Sequence, residues 1–290
     1  MFQTAESFDN LMLCKEFVNT SVFDYYINMN DLFFKNTLFY SKNVNIYEAD
    51  WRNERVCVKE INTDDNTSNE LLVLSKCIHP KIVQFLGFHR GNIKTSILFE
   101  FMSNGNLEEY IKCTAVPVLK KIEMMIDVVK ALHYLHNRYP ETVLHRDMKP
   151  SNILINKHGE AKLSDFGISK MVKMKYSSDF TDHSNEKGTY VWMSPEVLKG
   201  EPYNYTSDIF SIGLIIYYIW TEQYPYKELN LSTIQMLFQK NKGNLKLGEI
   251  DNHYELNVLT RECVLTNPVE RPNTQNILNR LNCIKETIKN

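Results

Sequence analysis

Two regimes of hydrophobic periodicity divide the 290-residue chain. From about residue 31 to 101, apolar and polar positions alternate in short runs, as half-buried strands require. Leu32–Tyr40 and Val44–Trp51 read as extended, with a turn near Asn43 between them. Residues 55–61 carry Val56 and Val58 between polar neighbours. The polar stretch 63–69 reads as a loop holding helix-capping residues. It leads into a helix over 70–77, which His79-Pro80 ends. Strands at 82–88 and 96–101 complete a small strand-rich lobe. The cluster Ser103-Asn104-Gly105-Asn106 marks a turn and the expected hinge. Beyond it the period lengthens. Over 121–136, Ile122, Met125, Ile126, Val129 and Leu132 share one helical face. Residues 152–155 and Ala161–Leu163 read as short strands about a turn at Lys157-His158-Gly159. The remainder reads as mainly helical, with Asp208 placed to cap an apolar helix beginning near Ile209. Ahead of all this, Phe8, Leu11, Cys14 and Val18, then Val22, Tyr25 and Met29, recur at helical spacing. Residues 1–30 are therefore expected to form a helical extension docked on the main body.

Composition narrows the class without naming a chemistry. The chain is 43% hydrophobic and 23% charged, ordinary for a globular protein of one large domain or two small ones. A net charge of −2 gives no reason to expect nucleic acid or an anionic membrane as partner. Cys14, Cys57, Cys77, Cys113, Cys263 and Cys283 are scattered and form no Cys-x-x-Cys pair, so neither zinc nor a disulfide framework is indicated. The start carries Glu6 and Asp9 and does not resemble a signal peptide. The strongest apolar run, 212–220, falls short of the ~20 residues of a membrane span. A cytoplasmic protein with no membrane span is expected.

The chemistry is concentrated in His145-Arg146-Asp147-Met148-Lys149-Pro150-Ser151-Asn152 and in Asp165-Phe166-Gly167. These supply a candidate base, a cation and two oxygen donors for a metal, the inventory of phosphoryl transfer from ATP. A strand, a turn and a return strand fit the eighteen-residue gap between Asp147 and Asp165, bringing both carboxylates to one end of a hairpin. Upstream lies Cys57-Val58-Lys59, and Glu70 follows eleven residues after the lysine.

These motifs, in this order and followed by Trp192-Met193-Ser194-Pro195-Glu196, resemble those of eukaryotic protein kinases, most closely the tyrosine-kinase-like group of serine/threonine kinases. The resemblance covers roughly residues 31–285. It implies an α+β bilobal fold, with an N-lobe over 31–102 and a C-lobe over 103–285. It implies ATP and Mg2+ as cofactors and a protein bearing serine or threonine as substrate. Lys59 would hold the α- and β-phosphates and pair with Glu70, while Ile46, Cys57, Glu100 and Met102 complete the nucleotide-binding set. Asp147 would be the base, Lys149 the cation on the moving phosphoryl group, and Asn152 and Asp165 the metal ligands. His145 and Phe166 would pack behind the site. Lys149 and Gly188-Thr189 resemble the serine/threonine pattern rather than the tyrosine one. Ser177, Ser178, Thr181 and Ser184 are candidate phosphosites that could pair with Arg146. Glu196 and Arg271 are expected to form a bracing ion pair.

The pattern breaks in one place. The three positions of the expected glycine-rich phosphate loop hold Phe39, Ser41 and Val44, and the first glycine of the chain is Gly87. Glycine there tolerates positive φ and lets backbone N–H groups approach phosphate. Val44 would resist that conformation by about 1–2 kcal/mol. A differently shaped loop that donates fewer N–H groups is expected. Cys57 in place of alanine and Phe99 at the back of the pocket should narrow the adenine site, and Phe39 or Tyr40 plugging it would count against activity. Ser194 in place of alanine is a small change. An active, slow kinase is the preferred reading. The alternative is a pseudokinase, a binding or scaffold module on the same fold. A small-molecule kinase is a weaker third.

Overall fold

The computed structural model describes residues 25–172, 189–227, 240, 246–251 and 253–289. The chain divides into two compact units, one ending at Met102 and the other starting at Ser103.

The first unit is built on a five-stranded antiparallel sheet in the order β1-β2-β3-β5-β4. Its strands are β1 (Leu32–Tyr40), β2 (Val44–Trp51), β3 (Glu54–Asn62), β4 (Phe85–Arg90) and β5 (Lys94–Glu100). Alternation in β2, β3 and β5 buries Ala49, Val56, Val58 and Leu98 on one face, together with Ile27 and Leu32. The edge strand β1 is apolar yet solvent-facing: Phe33, Phe34, Leu38, Phe39 and Tyr40 are all exposed. Helix α1 (Asp65–Lys76) starts five residues earlier than the expected 70. The cause is a capping box. Asp64 Oδ1 accepts the Thr67 N–H at 2.8 Å, and the Thr67 hydroxyl in turn accepts the Asp64 N–H at 3.4 Å. Polar residues that read as a loop are thus the first turns of the helix, and Glu70 lies within it rather than at its start. Residues 1–24 of the expected extension lie outside the described residues. Its last residues are not α-helical: Ile27 N–H donates to Phe88 O at 2.9 Å, Tyr26 forms a parallel bridge to β4, and Met29–Asp31 is a single 3-10 turn.

The second unit is mainly helical. Its helices are α2 (Leu107–Cys113), α3 (Val118–His136), α4 (Pro195–Lys199), α5 (Tyr205–Thr221), α6 (Tyr254–Cys263) and α7 (Thr274–Lys289). Two small antiparallel pairs lie among them: β6 (Thr142–Leu144) with β9 (Lys170–Val172), and β7 (Ile153–Ile155) with β8 (Ala161–Leu163). α5 holds the apolar run and is buried from Thr206 to Ile219, which makes it the centre of the unit. It packs so closely on α6 that a Cβ on Gly213 would lie 2.6 Å from the Cys263 Cβ. Among the described residues no helix is long and apolar enough to cross a membrane. Asp208 does not cap this helix. Asn204 does, accepting the Thr206 N–H at 2.8 Å, and this frees the Asp208 side chain to hold the backbone at His145 and Arg146.

Candidate active site

In the first unit, β3 carries Lys59 beside α1. Its Nζ lies 2.8 Å from Glu70 Oε1, and the side chains are only 16% and 3% exposed, so the pair is largely withdrawn from solvent. On neighbouring strands Ile46 sits opposite Lys59, and Cys57 opposite Phe99. Burial pushes the Cys57 thiol up to about 11, so it stays protonated and inert. Met102 is buried, and the Glu100 carboxylate accepts the Gln84 N–H at 2.8 Å.

The hairpin between β1 and β2 closes on itself. Ser41 N–H donates to Val44 O at 3.0 Å, and the Ser41 hydroxyl both donates to that carbonyl at 2.8 Å and accepts the Val44 N–H at 3.0 Å. None of Phe39, Ser41 and Val44 adopts positive φ. Two of the loop's N–H groups are therefore consumed internally. Phe39 and Tyr40 are exposed, 51% and 76%, and neither folds back into the unit.

In the second unit, the chain leaving β6 is held from beneath by Asp208. Its carboxylate accepts the backbone N–H groups of His145 (3.0 Å) and Arg146 (2.9 Å) and lies 2.9 Å from His136 Nε2. Burial alone would raise this carboxyl, but the His136 ring and the Arg146 N–H together hold it below the usual aspartate value. The clamp supports a strained residue, Arg146 at φ 72°, and Asp165 is left-handed as well, at φ 62°. Left-handed geometry costs a non-glycine residue about 1–2 kcal/mol. Such strain persists where surrounding structure over-determines it, commonly at functional sites.

Asp147 follows directly. Lys149 Nζ is 3.1 Å from Asp147 Oδ2, and Asn152 Nδ2 donates to the same oxygen and to Asp147 O, both at 2.8 Å. Pro150–Asn152 is a 3-10 turn that carries Asn152 into β7. At the end of the β7–β8 pair, Ser164 donates to Asn152 O through its N–H (2.8 Å) and its hydroxyl (2.9 Å). That tie sets the residue before Asp165 against Asn152, as a hairpin reading requires. His145 Nε2 lies 3.0 Å from Ser164 O, and its ring stacks edge-on to Phe166 at 5.2 Å. The arrangement thus brings Asp147, Lys149 and Asn152 into one hydrogen-bonded group, with the exposed Asp165 carboxylate on the strand end beside it. Asn152 spends its amide nitrogen on Asp147, and its Oδ1 accepts no hydrogen bond among the described residues.

Arg271 meets Glu196 in the expected ion pair, bidentate at 2.6 and 2.8 Å and buried. Ser177, Ser178, Thr181, Ser184 and Gly188 lie outside the described residues. Sequence reasoning missed the Asp208 clamp. Its only local signal was an acid near a helix start, which reads as a cap.

Comparison with known proteins identifies the family. Residues 40–281 match the protein kinase domain family. Serine/threonine-protein kinase 12 of Arabidopsis thaliana is 30% identical over 90% of this chain and 58% of its own length. The probable serine/threonine-protein kinase drkC of Dictyostelium discoideum is 30% identical over 88% of this chain and 35% of its own. Serine/threonine-protein kinase CTR1 of Arabidopsis thaliana is 35% identical over 64% of this chain and 23% of its own. The chain thus spans less than two-thirds of the length of these relatives. With the match running from the phosphate hairpin to the last helix, the chain belongs to the protein kinase domain family.

Proposed function

We propose that this chain is a serine/threonine protein kinase that transfers the γ-phosphoryl group of ATP to hydroxyl groups on protein. One observation carries the reading: Asp147 Oδ2 is gripped by both Lys149 Nζ (3.1 Å) and Asn152 Nδ2 (2.8 Å). This fixes the carboxylate while leaving it available as an acceptor. An acceptor hydroxyl hydrogen-bonded to Asp147 is aimed at the γ-phosphorus. As its oxygen bonds to phosphorus and the bond to the ADP oxygen breaks, the proton passes to Asp147. Lys149 offsets charge on the phosphoryl oxygens, and Lys59, oriented by Glu70, holds the α- and β-phosphates.

The residues present fit Mg2+. This ion is held by one or two protein oxygen donors plus phosphates, and the Asn152 amide oxygen and the exposed Asp165 carboxylate are donors of that kind. When bound, Mg2+ neutralises phosphate charge that develops during transfer. Ile46, Cys57, Glu100 and Met102 are the proposed nucleotide-side residues. Lys149 and Gly188-Thr189 support serine or threonine over tyrosine as acceptor. The scattered cysteines, with no Cys-x-x-Cys pair, support a reducing, cytoplasmic setting.

The self-closed hairpin favours weak nucleotide affinity, and so slow transfer at limiting ATP, rather than no activity. Metals and charged side chains supply most of the electrostatic stabilisation, and the sequence retains Lys59, Asp147, Lys149, Asn152 and Asp165. The test is transfer of labelled phosphate from MgATP to a generic basic protein or to the chain itself. Wild type should transfer, and Asp147→Asn should lower the rate by about 10²–10⁴-fold. Background-level transfer by wild type with both Mg2+ and Mn2+ would overturn the reading and leave a nucleotide-binding scaffold.

A further inference from the structure

Lys240 is 2% exposed, an unusual place for a lysine. Among the described residues no carboxylate lies within ion-pair distance of it. Glu196 favours its charge from longer range, while Arg271 opposes it and burial depresses its protonation strongly. Its Nζ sits 4.9 Å from the Phe210 ring centroid and 5.5 Å from that of Tyr226. A leucine or methionine would fill this space without desolvating an amine. What an apolar residue could not supply is the pair of hydrogen bonds that Nζ makes, to Val191 O at 2.6 Å and to Tyr190 O at 3.4 Å.

Those carbonyls belong to the 3-10 turn Thr189–Val191, which is too short to fix its own conformation. The next carbonyl, Trp192 O, accepts the Ser211 hydroxyl at 2.7 Å. Three successive carbonyls are thus drawn inward onto Lys240 and α5. The segment so held adjoins the catalytic loop. Trp192, Met193 and Ser194 line one small cavity, about 20 Å³, with Arg146, Asp147 and Met148. The backbone that Lys240 shapes therefore lies next to Asp147, and it bears on an acceptor segment only if that segment passes along it.

We propose that Lys240 is a positioning residue for the acceptor protein: by fixing the carbonyls of Tyr190 and Val191 it sets the surface on which that protein seats beside Asp147. This rests on the proposed kinase activity. The experiment compares Lys240→Met (no donor), Lys240→Gln (a shorter side chain with an NH2 donor) and Lys240→Arg (donors kept) with wild type in steady-state phosphotransfer. Loss of these hydrogen bonds should raise KM for the protein substrate about tenfold in Lys240→Met. KM for ATP and the MgATP thermal shift should stay within about twofold, since neither depends on this backbone. Lys240→Gln should fall between, and Lys240→Arg should recover most of the wild-type KM. An unchanged protein KM, or a fall in kcat alone, would overturn the proposal. Hydrogen exchange at the amides of residues 190–193 separates this failure from failure of the kinase reading. Even in a catalytically silent protein, Lys240→Gln should accelerate exchange there while the α3 and α5 amides keep wild-type protection. Unchanged exchange at 190–193 would refute the positioning role.

Discussion

Replacing Asp208 with asparagine tests how the candidate active site is held. The wild-type carboxylate takes three hydrogen bonds, from His145 N–H (3.0 Å), Arg146 N–H (2.9 Å) and His136 Nε2 (2.9 Å). Asparagine offers one acceptor oxygen, and its NH2 group must face a donor. At least one bond is lost, and a buried N–H is left without an acceptor. Hydrogen bonds to charged groups contribute about 1.5–3 kcal/mol, and an unsatisfied buried group costs about 1–3 kcal/mol. A loss of about 3 kcal/mol at pH 7 is therefore expected, a large share of the ~5–15 kcal/mol of a typical domain.

The pH dependence supplies a second signature. The folded carboxyl lies below its ordinary value. Its contribution is fully present above the unfolded aspartate value, about 3.9, and is lost as pH falls through the lower folded value. Urea denaturation from pH 7 down to pH 3 should show Asp208→Asn about 3 kcal/mol less stable at neutrality, with the gap to wild type narrowing below about pH 4. Phosphotransfer by the folded variant should fall as well, because Arg146, held at φ 72°, loses the acceptor that fixes it, and Asp147 is its neighbour. A stability loss under about 0.5 kcal/mol, or a gap that does not change with pH, would refute the clamp.

Three further outcomes are expected. The double variant Ser41→Gly, Val44→Gly removes the hydroxyl that closes the hairpin, frees the Val44 N–H and permits positive φ. KM for ATP should fall about tenfold at a stability cost of about 1–2 kcal/mol, and an unchanged KM would show that the hairpin does not limit nucleotide binding. Lys59→Met leaves Glu70, 3% exposed on its side chain, without its cation. Stability should drop by about 2–4 kcal/mol and the MgATP thermal shift should vanish; a retained shift would remove Lys59 from the phosphate site. Iodoacetamide at pH 8 should label the exposed Cys113 and Cys283 while sparing Cys57, whose thiol is pushed up to about 11. Peptide mass spectrometry showing similar rates would contradict its burial.

What the sequence made legible is what local pattern encodes. β1, β2 and β8 lie where the sequence reading put them, although of β1 only Leu32 is buried. The group from His145 to Asn152 was readable because its members are close in sequence and the return through Asp165 is a short hairpin. The start of α1 was misread because Asp64 and Thr67 resemble loop residues until their reciprocal hydrogen bonds are seen. Asp208 and Lys240 were illegible in function for a different reason. Their partners lie 63 and 49 residues away, and no spacing rule reaches that far. The exposure of Phe33, Phe34 and Tyr40 was equally hidden, because an apolar residue on an edge strand looks like one on a central strand until strand order is known.

The two anomalies that bear on activity act on separate quantities. The hairpin around Ser41 changes how many N–H groups are left for phosphate, and such contacts exist in ground and transition states alike. Removing uniform binding raises KM and leaves kcat largely alone. The grip of Lys149 and Asn152 on Asp147 holds the proposed base. On the proposed function that grip aims the base and places the Lys149 charge near the phosphoryl oxygens, whose charge is met in the transition state, so its loss should appear in kcat. A chain can therefore lose its phosphate-loop glycines and remain a catalyst that needs more ATP, whereas a chain that loosened Asp147 would bind nucleotide to no chemical purpose. Among the described residues the second unit holds four non-glycine residues in left-handed conformation, Arg146, Asp165, Glu222 and Tyr226, each at a cost of about 1–2 kcal/mol. On the proposed function, the strain at Arg146 and Asp165 lies beside the base and at a metal ligand, where strained backbone is commonly stored.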